Sequence, residues 1–204
     1  MSNPNCSEEK KLWKNGFKYV AGLDEVGRGP LAGPVVAGAV VILNPKIHLK
    51  KLKINESKKL SEKQREILYK ILTNHKDIKW GIGIVSEKVI DKINILEATK
   101  LAMKKSIRAI KPNFILLDGN FSLDIGMLEK SIIKGDQKVI SISVASIIAK
   151  VTRDRIMKKL HKKYPQYGFD KHKGYGTAFH MEMIKKYGPC KIHRWSFYPV
   201  SNFK

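Results

Sequence analysis

Residues 22–36 read Gly22-Leu23-Asp24-Glu25-Val26-Gly27-Arg28-Gly29-Pro30-Leu31-Ala32-Gly33-Pro34-Val35-Val36, an apolar, glycine-rich stretch interrupted by one charged cluster, Asp24, Glu25 and Arg28. Before them Tyr19-Val20-Ala21 extends a short apolar run, after them the chain stays apolar and β-branched as far as Leu43, and Gly29-Pro30 lies between. Two strands joined by a turn, forming a buried central hairpin, are the expected result. Within the hairpin, Asp24 and Glu25 are adjacent acids at the end of a strand otherwise fit for a core. Ionised carboxylates side by side are costly to bury unless a cation compensates them, and Arg28 is the nearest candidate in sequence. Successive strand side chains face opposite ways, so both acids can serve one site only if the chain bends there. Gly27 and Gly29 supply the freedom for that bend.

Two further acids repeat the pattern. Asn113-Phe114-Ile115-Leu116-Leu117-Asp118-Gly119 is a buried strand ending in a carboxylate, and Ser131-Ile132-Ile133-Lys134 is a shorter strand ending at Gly135-Asp136. Three such strand ends in a chain with 18 acids against 40 lysines and arginines imply a shared carboxylate cluster. Oxygen ligands without cysteine or an ordered histidine set suit Mg²⁺ or Mn²⁺, not zinc. A pair of these ions serves phosphodiester hydrolysis. Asp124 follows no comparable apolar strand. Asp154 stands four residues from Lys150 and from Lys158, the spacing of an ordinary helix ion pair.

The remaining elements alternate. Ser61, with Gln64 three residues on, caps a helix carrying Ile67, Leu68, Ile71 and Leu72 on one face. Residues 79–85 form a strand whose Gly81 and Gly83 admit a close neighbour. A short helix starts at Ser86, and a helical period covers residues 95–110 until Pro112. Residues 138–164 predict a long helix whose Ser143, Ala145, Ser146 and Ala149 let it approach the sheet, and residues 177–187 predict another. Together these predict an α/β layer structure with a mixed central sheet flanked by helices and a helical C-terminal portion.

Length and charge narrow the function. A chain of 204 residues holds one domain, with a core at about 17–164, a C-terminal portion at about 165–204 and an extension over about 1–14. No stretch approaches the roughly 20 apolar residues of a membrane span, and Glu8 and Glu9 stand where a signal peptide would be apolar. A cytoplasmic monomer is expected. Cys6 and Cys190 form neither a disulfide framework nor a zinc motif and are expected as free thiols. The net charge of +22 favours a polyanion such as nucleic acid. Only six of the 40 cationic residues are arginines, and such a lysine excess also arises from compositional drift. The alternative class is a basic nucleic-acid-binding protein without catalysis. His172, His180 and His193 are expected as solvated or capping residues. His172, Lys173, Lys58 and Lys59 are candidates for phosphate contact, and Trp13, Trp80 and Trp195 for packing.

The stretch at 22–36 resembles the opening signature of ribonuclease HII, the type 2 ribonuclease H. The likeness continues through Glu56-Ser57-Lys58-Lys59-Leu60-Ser61, Leu117-Asp118-Gly119, Lys134-Gly135-Asp136, Ala145-Ser146-Ile147-Ile148-Ala149-Lys150-Val151, Arg153-Asp154, His172-Lys173-Gly174-Tyr175 and His193-Arg194. The resemblance implies a ribonuclease H-like fold and an endonuclease that hydrolyses RNA in RNA–DNA hybrids. It also implies incision at single ribonucleotides embedded in duplex DNA, the activity of ribonucleotide excision, leaving 5′-phosphate and 3′-hydroxyl ends. It assigns Asp24, Glu25, Asp118 and Asp136 to magnesium or manganese binding and catalysis. The Gly27-Arg28-Gly29 backbone would read the 2′-hydroxyl, and Tyr175 would lie against the sugar of the next deoxynucleotide. The sequence departs from the usual pattern at Glu56, where Asp commonly stands, and at Ser143-Val144, where small residues are usual. Ribonuclease HIII carries an additional N-terminal domain, whereas here the motif begins at residue 22 with Gly-Arg-Gly intact. A replication clamp is a candidate partner, and Val200-Ser201-Asn202-Phe203-Lys204 is too short to decide it.

Overall fold

The hairpin is central, and it is antiparallel. In the computed structural model, which describes residues 4–44, 47, 54 and 60–203, β1 (Val20–Val26) pairs with β2 (Val35–Ile42), Ala21 opposite Val41 and Val26 opposite Val36. β3 (Ile78–Val85) adds antiparallel to β2. On the other side β4 (Phe114–Asp118) and β5 (Glu129–Ile132) add in parallel, giving the mixed order β3-β2-β1-β4-β5. Every residue of β2 is buried, which explains its unbroken apolar run: both faces of this strand are covered.

Six helices accompany the sheet among the described residues: α1 (Ser7–Lys14), α2 (Glu62–Thr73), α3 (Glu87–Ile107), α4 (Ile140–Lys163), α5 (Phe169–His172) and α6 (Ala178–Tyr187). One face of the sheet, with Ala21, Leu23, Ala37 and Leu117, packs on Ala98, Ala102 and Met103 of α3. The other face packs on α4 and α2 through Val40, Ile42, Val144, Ile148, Leu68 and Leu72. Glycines let the helix backbones rest directly on the strands. A β-carbon at Gly22 would lie 2.4 Å from the backbone of Ser141 and Ile142, and one at Gly83 would lie 1.8 Å from the Ala102 carbonyl oxygen. A third cluster, with Leu31, Met157, Tyr167, Phe169, Ile184 and Val200, binds the C-terminal segments to the loop after β1. No helix among the described residues is long and apolar enough to cross a membrane.

Several expectations need correction. The two helical stretches expected at 86 and 95–110 are both present within α3, separated at Asn94 (φ 65°), whose backbone is not helical and whose Oδ1 accepts the Leu96 and Glu97 N–H groups as the cap of the second, but that second stretch ends at Ile107, earlier than expected. In α2 the Ser61–Gln64 capping box is complete, but Ile67 and Ile71 are 53% and 41% exposed and only Leu68 and Leu72 reach the core. β5 ends at Ile132, two residues earlier than expected, because Lys134 (φ 56°) turns the chain into a 3₁₀ turn over Gly135–Gln137. The polar N-terminus holds a helix, α1, that nothing in its composition announces. Its buried Glu9 accepts the Ser141 N–H at 2.9 Å and so caps α4 from outside.

Candidate active site

β1 and β4 run in parallel register until Leu23 meets Leu117. One residue further along each strand stand Asp24 and Asp118, and beyond them the strands part. There a cleft of about 380 Å³ opens, lined by Asp24, Glu25, Asp118 and Asp136, with Ser146 and Lys150 from α4, Arg65 from α2, and Tyr175. All four candidate acids therefore share one cavity.

The electrostatics of this cleft are unfavourable as it stands. Burial, and then the charges of Glu25 and Asp118, hold Asp24 well above the ordinary carboxylate range, although Ser146 and the Glu25 N–H (2.8 Å to Oδ1) oppose the shift. Burial also raises Glu25, opposed by Arg28, whose Nη1 stands 3.2 Å from Oε1. Asp118 Oδ1 accepts the Gly135 N–H at 2.8 Å, which ties the third acid to the turn that carries the fourth. As the side chains lie, no three acids, histidines or cysteines among the described residues are gathered closely enough to hold a metal. The donor set nonetheless suits a hard divalent cation: it is all oxygen, and its mutual repulsion is what such a charge relieves.

Three details of the sequence reading change. The chain does not bend at Asp24-Glu25, since pairing with β2 continues to Val26, and the turn comes at Gly27 (φ 94°). Both acids line the cleft because they occupy the open end of β1. Asp136 does not end a strand but sits in the 3₁₀ turn before α4. Arg28 pairs with Glu25, leaving the more deeply buried Asp24 without that partner. Asp124 is exposed and bonded to Ser122, and Asp154 pairs with Lys150 at 2.9 Å, as its spacing predicts.

The Gly27-Arg28-Gly29 loop forms the adjoining wall, and two buried guanidiniums lie behind it, Arg194 bonded to the loop itself and Arg153 to the carbonyls that follow it and to Lys173. Arg194 donates from Nη2 to Gly27 O (2.6 Å), from Nη1 to Arg28 O (2.8 Å), and from Nε and Nη2 to Gly33 O (3.0 and 2.9 Å). Arg153 donates to Pro34 O (2.9 Å), Lys173 O (2.9 Å) and Ala32 O (3.2 Å). All these acceptors are backbone carbonyls. Burial lowers the pKa of Arg153 to about 10 and of Arg194 to about 9, so both remain cations at neutral pH. Nothing local in the sequence assigns these two arginines a role. The signal was their scarcity: in a lysine-rich chain an arginine marks a place where a planar fork of donors is required.

Tyr175 is 44% exposed, and its ring edge lies 3.8 Å from where a β-carbon on Gly29 would sit. The loop and the ring thus face each other beside the acids. The neighbouring candidates turn inward. His172 Nδ1 accepts the Gly174 N–H (3.1 Å) and its Nε2 donates to Tyr167 O (2.6 Å). Lys173 is buried, its ammonium bonded to Asp170 O and 3.8 Å from Glu62. His180 and His193, expected to be solvated or capping, are fully buried and 3.1 Å apart at their Nε2 atoms. Lys58, Lys59 and Glu56 lie outside the described residues.

A mixed sheet in this order, with acids at the ends of adjoining parallel strands and a long helix laid across them, defines an α/β protein of the ribonuclease H-like class. Residues 21–200 match the family model described as Ribonuclease HII, and the chain belongs to that family. It is an endonuclease of the ribonuclease H type, a phosphodiester hydrolase. The chain is 56% identical over 194 residues to ribonuclease HII of Acetivibrio thermocellus, covering 94% of this chain and 74% of the relative. Among solved structures it is similar to ribonuclease H2 of Pyrococcus horikoshii (TM-score 0.74, 34% identity, 91% of this chain and 96% of that one). It is also similar to the ribonuclease HII of Archaeoglobus fulgidus in its PCNA complex (TM-score 0.78, 28% identity, the same coverage).

Proposed function

We propose that this endonuclease hydrolyses the RNA strand of RNA–DNA hybrids and incises at single ribonucleotides embedded in duplex DNA. Its products carry 5′-phosphate and 3′-hydroxyl ends. The observation that carries the reading is one cleft lined by Asp24, Glu25, Asp118 and Asp136 with Tyr175 on its wall, the Gly27-Arg28-Gly29 loop adjoining. The four carboxylates would hold Mg²⁺ or Mn²⁺, which when bound supplies activation of water and stabilisation of the leaving oxygen.

The chain's own residues do the rest. Lys150 and Arg65 present cations to phosphate oxygens in the cleft, and the lysine excess of the chain draws in the polyanion. Phosphate contacts position the duplex but do not distinguish ribose from deoxyribose. That task falls to backbone groups of Gly27-Arg28-Gly29, close enough to meet a 2′-hydroxyl, and to Tyr175, against which the next deoxyribose packs. The protein acts as a cytoplasmic monomer, and the Archaeoglobus fulgidus relative, solved with PCNA, supports a replication clamp as a partner.

The test is incubation of a long hybrid with the purified chain and Mg²⁺ or Mn²⁺, followed by sizing of both strands. Fragmentation of the RNA strand alone, abolished by a chelator, is expected. Retention of the hybrid without cleavage would favour the binding-protein alternative.

A further inference from the structure

Behind the proposed ribose-reading wall, two adjacent residues reach both of its halves. The segment Ile192-His193-Arg194 lies antiparallel to Leu31-Ala32-Gly33: Ala32 bridges His193, Gly33 N–H donates to Ile192 O (2.9 Å) and Arg194 N–H donates to Leu31 O (2.8 Å). From this strip the Arg194 side chain holds the Gly27, Arg28 and Gly33 carbonyls. His193 points the other way, toward Tyr175, through His180.

The hydrogen bonds fix the proton on each ring. Cys190 N–H donates to His193 Nδ1 at 2.8 Å, so His193 carries its proton on Nε2. That Nε2–H faces His180 Nε2 at 3.1 Å, which must accept. His180 is therefore protonated on Nδ1, which donates to Tyr175 O at 2.9 Å. Each donor meets an acceptor along the chain from Cys190 to Tyr175 only when both rings are neutral and hold these two opposite tautomers.

We infer that His193 and Arg194 are positioning residues for ribose recognition: Arg194 fixes the Gly27 and Arg28 peptides, and His193, through His180, fixes the backbone of Tyr175. Neighbouring residues on one strip thereby set the gap between loop and ring. The inference rests on the proposal that loop and ring read the sugar. A single ribonucleotide in DNA requires both halves together, a ribose at the loop and a deoxyribose at Tyr175, whereas a continuous hybrid presents no deoxyribose to the ring. Disturbing the gap should therefore cost more on the first substrate.

The test uses Arg194→Lys, which keeps the charge and loses the fork, His180→Phe, which cuts both bonds, and His180→Asn, whose amide can still donate to Tyr175 O. For each, kcat and KM are measured on a duplex with one ribonucleotide and on a long hybrid, with circular dichroism to verify folding. Arg194→Lys and His180→Phe should lose about tenfold more kcat/KM on the single ribonucleotide than on the hybrid, and His180→Asn should lie closer to the parent than His180→Phe does. Equal proportional losses on both substrates, or no loss in folded variants, would overturn the inference. Independently of any variant, nitrogen-15 spectra of the histidines should show His180 as the Nδ1–H tautomer and His193 as Nε2–H, and the reverse assignment would overturn it. If Tyr175→Ala shows no preference between substrates while the tautomers are as expected, the failure lies in the sugar-reading proposal and not in the hydrogen-bonded strip.

Discussion

Gly27 and Gly29 flank the same arginine in the same motif, yet alanine at the two positions should behave very differently. At Gly27 the backbone has φ 94°, and a β-carbon would lie 2.1 Å from Arg153 Nε and 2.7 Å from its Cδ. An L-residue in that left-handed region costs roughly 1–2 kcal/mol. The guanidinium cannot swing aside freely, because it is bonded to the Pro34, Lys173 and Ala32 carbonyls. Losing one charge-assisted hydrogen bond adds about 1.5–3 kcal/mol. Gly27→Ala should therefore destabilise the protein by about 2.5–5 kcal/mol, which at about 2–4 °C per kcal/mol for a chain of this size lowers Tm by about 5–20 °C. At Gly29 the nearest atom would be Tyr175 Cε1 at 3.8 Å, an ordinary contact. Gly29→Ala should stay within about 1 kcal/mol of the parent, so any loss of cleavage there reports on the groove. Urea unfolding followed by circular dichroism measures both. A Gly27→Ala protein as stable as the parent, or a Gly29→Ala protein equally damaged, would refute this account of how the loop is braced.

Further outcomes follow from the same groups. Asp24→Asn or Asp118→Asn should abolish cleavage with Mg²⁺ and with Mn²⁺ while leaving hybrid affinity nearly intact, and near-parental turnover in either variant would remove that acid from the catalytic set. Stability should depend on pH through His180 and His193, which burial among His172, Tyr167 and Cys190 lowers to about 4. Because their folded pKa lies below the ordinary value of about 6.5, their contribution is fully present above that pH and is lost as pH falls toward 4. Urea midpoints measured from pH 7 to 4 should show the decline, and His180→Phe should flatten it. The logarithm of hybrid affinity should fall linearly with the logarithm of salt, by about 0.9 for each phosphate neutralised. A flat response would mark the +22 charge as compositional drift.

The parts of this protein legible in its sequence are those governed by local rules. The apolar runs of β1 and β2, the Ser61 capping box and the extent of α4 are each specified by local sequence and stand close to where expected. The acids were legible as a group because charge at the end of an apolar strand is a local anomaly. What escaped depends on partners far away in the chain. Glu9 has meaning only beside Ser141, 132 residues on, and Arg194 only beside Gly27, 167 residues back. His180 and His193 looked like surface residues because lone histidines usually are, and only the fold brings their rings together. Asp136 reads as a strand end in the sequence because Ile132 and Ile133 continue the apolar pattern, but the left-handed turn at Lys134 breaks the strand first.

In the proposed function one cleft both breaks phosphodiester bonds and reads the sugar beside them. Its most direct test is an end-labelled DNA duplex with a single ribonucleotide, incubated with the parent chain and with Tyr175→Ala in Mg²⁺ or Mn²⁺, the cut site and end groups being mapped. One incision by the parent is expected, at the ribonucleotide, with 5′-phosphate and 3′-hydroxyl ends, and a much weaker incision by Tyr175→Ala, which still cleaves a long hybrid. Cleavage of the all-DNA strand, or equal activity of the two proteins on the single ribonucleotide, would contradict it.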